Sequence, residues 1–479
     1  MQETKTLNLT DKPIENIWKT KIDQIFAFCA THKVLVGSVL VTLLCIQSMF
    51  ATTFSYVAVL MAFVYILYLD FNGGLIIVAS FMPYSCLAKI FKIDAGFIVV
   101  LSFYVLVSFI RLVRARRFKF NKPMVILAIA LLVYMLLPIG GYSTLKFGYT
   151  GIYALFCLAC VVFWILRKEI NFLKIVHLSV IFLLVSCLAW LLAHIWPVNP
   201  DFYFFYVHGY RYPALFANPN YLSMLCIILS SILVSETIIG HNRLRSLFYL
   251  FATILLGFST LSKTFMLLAI VLVAILVIYF LAKMFKTSKT RRISIVILII
   301  FGLAVVCFMM ALISRFGSFK TMSFSKFVTG RDTLWDDAID KWLTNVGTII
   351  FGNGMGSLAT DRSAFAHSFY LEFLQKLGLV GFFMLEVLIV MAFRIVMETK
   401  QSKSKVMFLP MMIILVYALT ETLIVVFPVI FVLFIAVAFM DFNQDLSPEI
   451  ITFHGKMAKV ETKINASFDR SKDETTADK

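Results

Sequence analysis

Residues 264–292 read TFMLLAIVLVAILVIYFLAKMFKTSKTRR. The first part, 264–282, is an unbroken apolar run, and behind it come Lys283, Lys286, Lys289, Arg291 and Arg292. About 20 apolar residues, rising 1.5 Å each as a helix, reach across the hydrocarbon layer of a bilayer. Inside that layer every backbone N–H and C=O must be satisfied within the protein, which a helix achieves by itself. The basic tract cannot follow into lipid and is held on the cytoplasmic side during insertion. This one stretch therefore predicts an all-α membrane fold and also the direction in which the helix runs.

The rest of the chain repeats the pattern. It is 61% hydrophobic and 14% charged, with a mean hydropathy of +0.93, which excludes a water-soluble domain. Apolar runs fall at 34–51, 53–69, 74–88, 95–113, 123–139, 149–166 and 174–194, and again at 214–239, 246–259, 264–282, 293–314, 367–393, 406–422 and 424–440. The expectation is a polytopic bundle of about 14 transmembrane helices. It forms one membrane domain, 34–440, between a cytoplasmic leader, 1–33, and a cytoplasmic polar tail, 441–479.

A formal net charge of +17 invites a nucleic-acid reading, but position decides otherwise. With the amino terminus inside, 31 of the 43 Lys and Arg residues fall on cytoplasmic segments, RLVRARRFKFNK at 111–122 among them. The same alternation leaves 195–213 and 315–366 as long outer segments, and long loops commonly carry function. Within the second, Trp335, Ile339 and Trp342 recur at helical spacing, while Asp336, Asp337 and Asp340 fall away from that stripe. This predicts a short amphipathic helix that lies on the outer membrane surface or caps the bundle. The eight cysteines lie almost entirely inside apolar runs and indicate no disulfide framework.

No P-loop, dinucleotide glycine fingerprint, H-E-x-x-H or G-x-S-x-G elbow is present. Chemistry in such a chain needs a substrate that brings its own activation, and cations on the outer face suit a lipid-borne pyrophosphate. Arg211 precedes Asn218-Pro219-Asn220, where a helix opening leaves free backbone donors that attract anions. Lys263 sits in a tight outer turn, and for both cations snorkelling to the head groups is the bland alternative. Arg331 opens the amphipathic helix, and Gly352, Gly354 and Gly356 after it permit a sharp turn or a close backbone approach. His367 stands where the chain re-enters the membrane, as a structural residue or as a proton acceptor for an attacking hydroxyl. Glu372, Glu386 and Glu421 are carboxylates at or within spans, and such acids are functional suspects by default.

Four stretches in order, RYPALFANPNYLS (211–223), TLSKTF (260–265), GRDTLWDDAI (330–339) with FGNGMGS (351–357), and HSFYLEFLQKLGLVG (367–381), carry a family likeness. Through them the chain resembles the O-antigen ligase and polysaccharide polymerase family, type C glycosyltransferases that use undecaprenyl-pyrophosphate-linked sugars. The likeness covers roughly 211–440, and the earlier spans fit only by their number. Ala214, Lys263 and Ser368 stand where the family usually has Gly, Arg and Asn. A lysine keeps the charge but loses the two-pronged grip on phosphate.

The resemblance implies that Arg211 and Arg331, together with Lys263, hold the donor pyrophosphate, and that His367 orients or deprotonates the acceptor hydroxyl. Asn218, Asn220, Gly354, Gly356 and Glu421 support them. It further implies inversion at the anomeric carbon with no metal and no nucleotide sugar. The partners are lipid-linked oligosaccharide donor and acceptor, the bilayer, and a chain-length regulator or flippase. The location implied is a bacterial cytoplasmic membrane. Polymerisation of repeat units is the first expectation, and ligation of a finished glycan to lipid A core or a cell-wall acceptor is the second. A flippase or transporter of lipid-linked glycans, or a non-catalytic scaffold, is the alternative of a different class.

Overall fold

The computed structural model describes residues 31–51, 53–84, 96–116, 122–137, 144–166, 169–193, 219–240, 243–284, 331–355, 367–397 and 408–420, with a few single residues between them. The described residues hold helices and no strand. In chain order these are α1 (Lys33–Gln47), α2 (Thr53–Tyr68), α3 (Phe71–Phe81), α4 (Gly96–Arg114), α5 (Lys122–Leu136), α6 (Thr144–Leu166) and α7 (Phe172–Ala193). After them come α8 (Pro219–Ile239), α9 (Arg243–Ser259), α10 (Lys263–Met284), α11 (Arg331–Trp342), α12 (Val346–Phe351), α13 (Phe369–Met397) and α14 (Phe408–Ala418).

Among the described residues, five stretches are long and apolar enough to cross a membrane: Gly96–Arg114, Phe172–Leu191, Pro219–Ile239, Lys263–Ala282 and Phe369–Met391. Shorter apolar helices accompany them, such as Lys33–Gln47, Thr53–Tyr68 and Phe408–Ala418. Their outward faces carry Leu60, Ile126, Val133, Phe248 and Phe383 well exposed. Water would penalise such a surface, whereas a lipid environment accepts it. The expected spans 293–314 and 424–440 lie almost wholly outside the described residues, as do the tail and nearly all of the leader.

Two sets of contacts define the two ends of the bundle. At the first, the Arg111 guanidinium at the end of α4 donates to the Leu69 and Ile66 carbonyls, 2.7 and 3.2 Å away. It thereby satisfies carbonyls that the end of α2 leaves without helical partners. Asp70 caps α3 by accepting from the Gly73 amide at 2.8 Å, and the Asn171 amide donates to Asn72 Oδ1 at 3.1 Å. The starts of α3 and α7 and the ends of α2 and α4 therefore share one end, which carries Arg111, Arg114 and Arg116.

At the other end the chain enters α8 and α10. The first of these is the central helix, buried along nearly its whole length and packed on α7, α9, α10 and α14. Small polar residues let its neighbours approach. Ser230 and Thr253 hydroxyls meet at 2.9 Å across α8 and α9. In α9, Gly257 leaves the space that the Phe265 ring fills, since a Cβ there would stand 1.9 Å from that ring. This fit closes the turn that presents Lys263.

The run expected as one span at 367–393 is helical from Phe369 to Met397 but is broken at Gly378, where φ is 62° and ψ is −168°. Only glycine occupies that region without strain. The 19 residues after the break reach about 28 Å and suffice to cross a bilayer alone. Phe369–Leu377 is thus a separate helical segment in front of the span. The expected span 74–88 is likewise altered: α3 tightens into a 3-10 turn at Met82–Tyr84, and 85–95 lie outside the described residues.

Candidate functional site

The last turn of α14 is the hub of the second end. Helix termini leave carbonyls without partners, and here side chains from several segments satisfy them. The Tyr370 hydroxyl, from the start of α13, donates to the Leu415 carbonyl at 3.2 Å. Thr420 Oγ1 turns back onto the Tyr417 carbonyl at 3.1 Å. Since that hydroxyl's proton is committed, the Thr264 hydroxyl, next to Lys263, donates to Thr420 Oγ1 across 3.0 Å. Arg331, the first residue of α11, donates through Nη1 to the Thr420 carbonyl. A cation at the negative end of a helix is electrostatically favoured as well as hydrogen-bonded.

The start of α8 joins the same hub. Tyr417 Oη and Ser223 Oγ lie 2.7 Å apart, and both reach the Asn220 carbonyl, at 3.1 and 2.8 Å. Segments of all four family-like stretches therefore meet around Leu415–Thr420: Asn220 of the first, Thr264 beside Lys263 of the second, Arg331 of the third and Tyr370 of the fourth. Arg211, Asn218, Gly356 and Glu421 lie outside the described residues.

His367 sits two residues before α13 with φ at +48°, a left-handed conformation that is strained for a side chain bearing a Cβ. Ser368 is the helix N-cap position: its carbonyl accepts the first helical bond, from the Glu372 amide at 3.0 Å. Serine is among the residues preferred there.

The amphipathic helix expected in the long outer segment is α11. Its Ala338 is buried with Trp335 and Leu371 packed against it, while Asp336, Asp337 and Asp340 face outward. One face of this helix thus packs against the first segment of α13. The short helix α12 follows, opened by a reciprocal cap between Asn345 and Thr348.

The glycine cluster then docks into the break of α13. Gly352 and Gly354 have φ of 78° and 89°. The Asn353 and Gly354 amides each donate at 2.9 Å, to the Gln375 and Lys376 carbonyls that the break at Gly378 leaves open. Tyr134 of α5 braces the joint, donating toward the Phe351 and Leu377 carbonyls at 3.0 and 2.9 Å. Gly352 and Gly378 meet face to face: a Cβ on either would stand 2.4 Å from a backbone oxygen of the other segment. Close approach is therefore the role of Gly352, and Gly354 supplies an amide donor.

Two buried pairs escape a reading of motifs. Lys376 Nζ lies 2.5 Å from Glu372 Oε1, four residues back on α13, and both side chains are almost fully buried. His177 Nε2 on α7 lies 2.7 Å from Glu236 Oε2 on α8 at the opposite end of the bundle. A signal was available for both, because charged groups inside apolar runs are kept only with partners. Among the described residues no group of three or more His, Cys, Asp or Glu side chains gathers as metal ligands; the expectation of metal-free transfer rests on the resemblance alone.

Comparison of the chain with family models, with curated proteins and with solved structures finds no match.

Proposed function

We propose that this chain is a membrane glycosyltransferase that joins lipid-pyrophosphate-linked oligosaccharide repeat units into a surface polysaccharide, on the face where α8, α10 and α13 begin. The observation that supports this reading best is the gathering of the four family-like stretches at the end of α14, with Arg331 held on the Thr420 carbonyl and Thr264, beside Lys263, on the Thr420 hydroxyl. These are the cations that the resemblance assigns to the donor pyrophosphate.

In this mechanism Arg331, Lys263 and Arg211 carry the negative charge that grows on the departing lipid pyrophosphate. Preorganised cations stabilise such charge without reorganisation at the moment of reaction. The acceptor hydroxyl attacks the anomeric carbon as the bond to the pyrophosphate oxygen breaks, and His367 orients that hydroxyl or takes its proton. The configuration at the carbon inverts. The full reading includes about 14 crossings, with both termini and the basic end in the cytoplasm of a bacterial cell.

Arg331→Ala and Arg331→Lys separate a forked grip from bare charge. The alanine variant is expected to abolish polymer, and the lysine variant to reduce it by at least tenfold, because an ammonium cannot bridge two phosphate oxygens. Polymer of wild-type length and amount in Arg331→Ala cells, at normal protein level in the membrane, refutes the assignment. In a deletion strain, accumulation of single-repeat lipid-linked product supports the polymerase, whereas full-length unattached chains favour the ligase.

A further inference from the structure

The outward surface of the long loop changes character between its two helices. On α11 the exposed side chains include Asp336, Asp337 and Asp340. From Trp342 to Thr360 the chain carries no charged residue, and α12 reads VGTIIF. The pairs Val346–Ile350 and Gly347–Phe351, each four apart, stand side by side on this helix. All four residues are exposed, Val346 by 70% and Phe351 by 48%, and so is Leu343 in the turn before them. Single apolar side chains at a surface need no explanation, but a face made of them does.

The contacts of α12 fix its level. Its end is pressed against the break of α13, where a Cβ on Gly378 would stand 2.4 Å from the Ile350 carbonyl oxygen. The crossing segment of α13 starts at that break, and its first turns expose Leu379, Val380 and Phe383. Tyr134, near the end of α5, donates toward the Phe351 and Leu377 carbonyls, and its neighbours Val133, Leu136 and Leu137 are exposed too. Lipid accepts such surfaces, and α12 stands where those of α5 and α13 reach this end of the bundle. Tyr134 and Trp342 suit that level, since each sets an apolar ring beside a polar group that is hydrogen-bonded.

The size of the face selects its occupant. Four residues on less than two turns of helix offer far less than the roughly 800 Å² per partner of a stable protein contact. Acyl chains need no such area, and the adjoining faces of α5 and α13 are open to them.

We propose that α12 anchors the long loop in the membrane: Val346, Ile350 and Phe351 enter the head-group and acyl-chain boundary of the leaflet on the side of the α14 hub, while the acidic face of α11 stays in water. Contact with lipid thereby falls to α12 instead of α11, whose buried Ala338 faces α13. Arg331 and the glycine cluster, at the two ends of the α11–α12 unit, are then held at the bilayer surface by lipid as well as by protein. This anchoring is independent of any chemistry on a glycan.

The test places the full-length chain in vesicles of phosphatidylcholine and phosphatidylglycerol whose acyl chains are radiolabelled. Benzoylphenylalanine, which joins on illumination to C–H groups within reach, is incorporated in turn at Val346, Phe383 and Asp336. Phe383, 71% exposed on the crossing segment of α13, is the lipid-facing control, and Asp336 the aqueous one. Label on the chain carrying the probe at Val346 is expected to match that at Phe383 and to exceed that at Asp336 by about fivefold or more. Ile350 takes the place of Val346 as reporter should that variant fail to reach the membrane at the wild-type level. Label no higher than at Asp336, or adducts with a second copy of the chain in place of lipid, overturns the anchor.

Discussion

Replacing Gly352 with alanine is expected to release the Phe351–Met355 segment from α13 while the helices stay folded. The new Cβ would stand 2.4 Å from the Lys376 carbonyl oxygen and 2.5 Å from the Gly378 amide nitrogen. Both are backbone atoms, so no change of rotamer relieves the clash. The left-handed φ of 78° adds about 1–2 kcal/mol for any residue with a Cβ, and overpacking adds about 1–3 kcal/mol. The docked state should lose about 2–5 kcal/mol in all, which is comparable to the two amide bonds and the tyrosine brace that hold it. Hydrogen exchange at the Asn353 and Gly354 amides should therefore quicken by roughly 1.5 to 3.5 orders of magnitude, at 1.4 kcal/mol per factor of ten. Gly378→Ala, whose Cβ would press on the Ile350 carbonyl at 2.4 Å, should do the same. Wild-type protection of those two amides in Gly352→Ala would refute the face-to-face packing.

Two further substitutions address the buried pairs. Glu236→Ala leaves His177 alone in the bundle and is expected to destabilise it by about 3–5 kcal/mol. A melt followed by thiol-reactive dye at the buried Cys45, Cys187 and Cys226 would read the loss, and an unchanged melt would deny the pair a structural role. Lys376→Met strands the Glu372 carboxylate and should cost about as much, whereas adding Glu372→Leu should restore most of the stability. If the double variant melts as low as the single one, the pair is not what holds this segment.

The apolar runs were legible because hydropathy and helix length answer to the same bilayer. The run at 95–113 became Gly96–Arg114, and the run at 264–282 lies within Lys263–Met284. The periodic spacing of Trp335, Ile339 and Trp342 marked α11 for a similar reason, since one face of that helix packs and the other does not. The break at Gly378 was hidden, because an isolated glycine in an apolar run reads as a tolerated helix residue. What forces it open is Gly352, 26 positions earlier in the chain, and hydropathy counts residues without partners. The His177–Glu236 pair spans two helices and escapes a residue count for the same reason, whereas the spacing of four between Glu372 and Lys376 is readable on a single helix face. The site candidates Lys263, Arg331 and His367 were visible only as types at suggestive positions. That Thr420 and Tyr417 bind their segments together could not be read locally, because α14 meets them through its unsatisfied end and through no motif of its own.

In the function proposed above, cations from separate stretches grip a lipid pyrophosphate, so that glycosyl transfer needs only the protein and its lipid-linked substrate. Purified wild-type protein, given a defined lipid-linked repeat unit in a chelator-treated buffer, tests it most directly. A ladder of polymer is expected from the wild type and none from Arg331→Ala. A silent wild type, or a ladder that survives loss of Arg331, would contradict it.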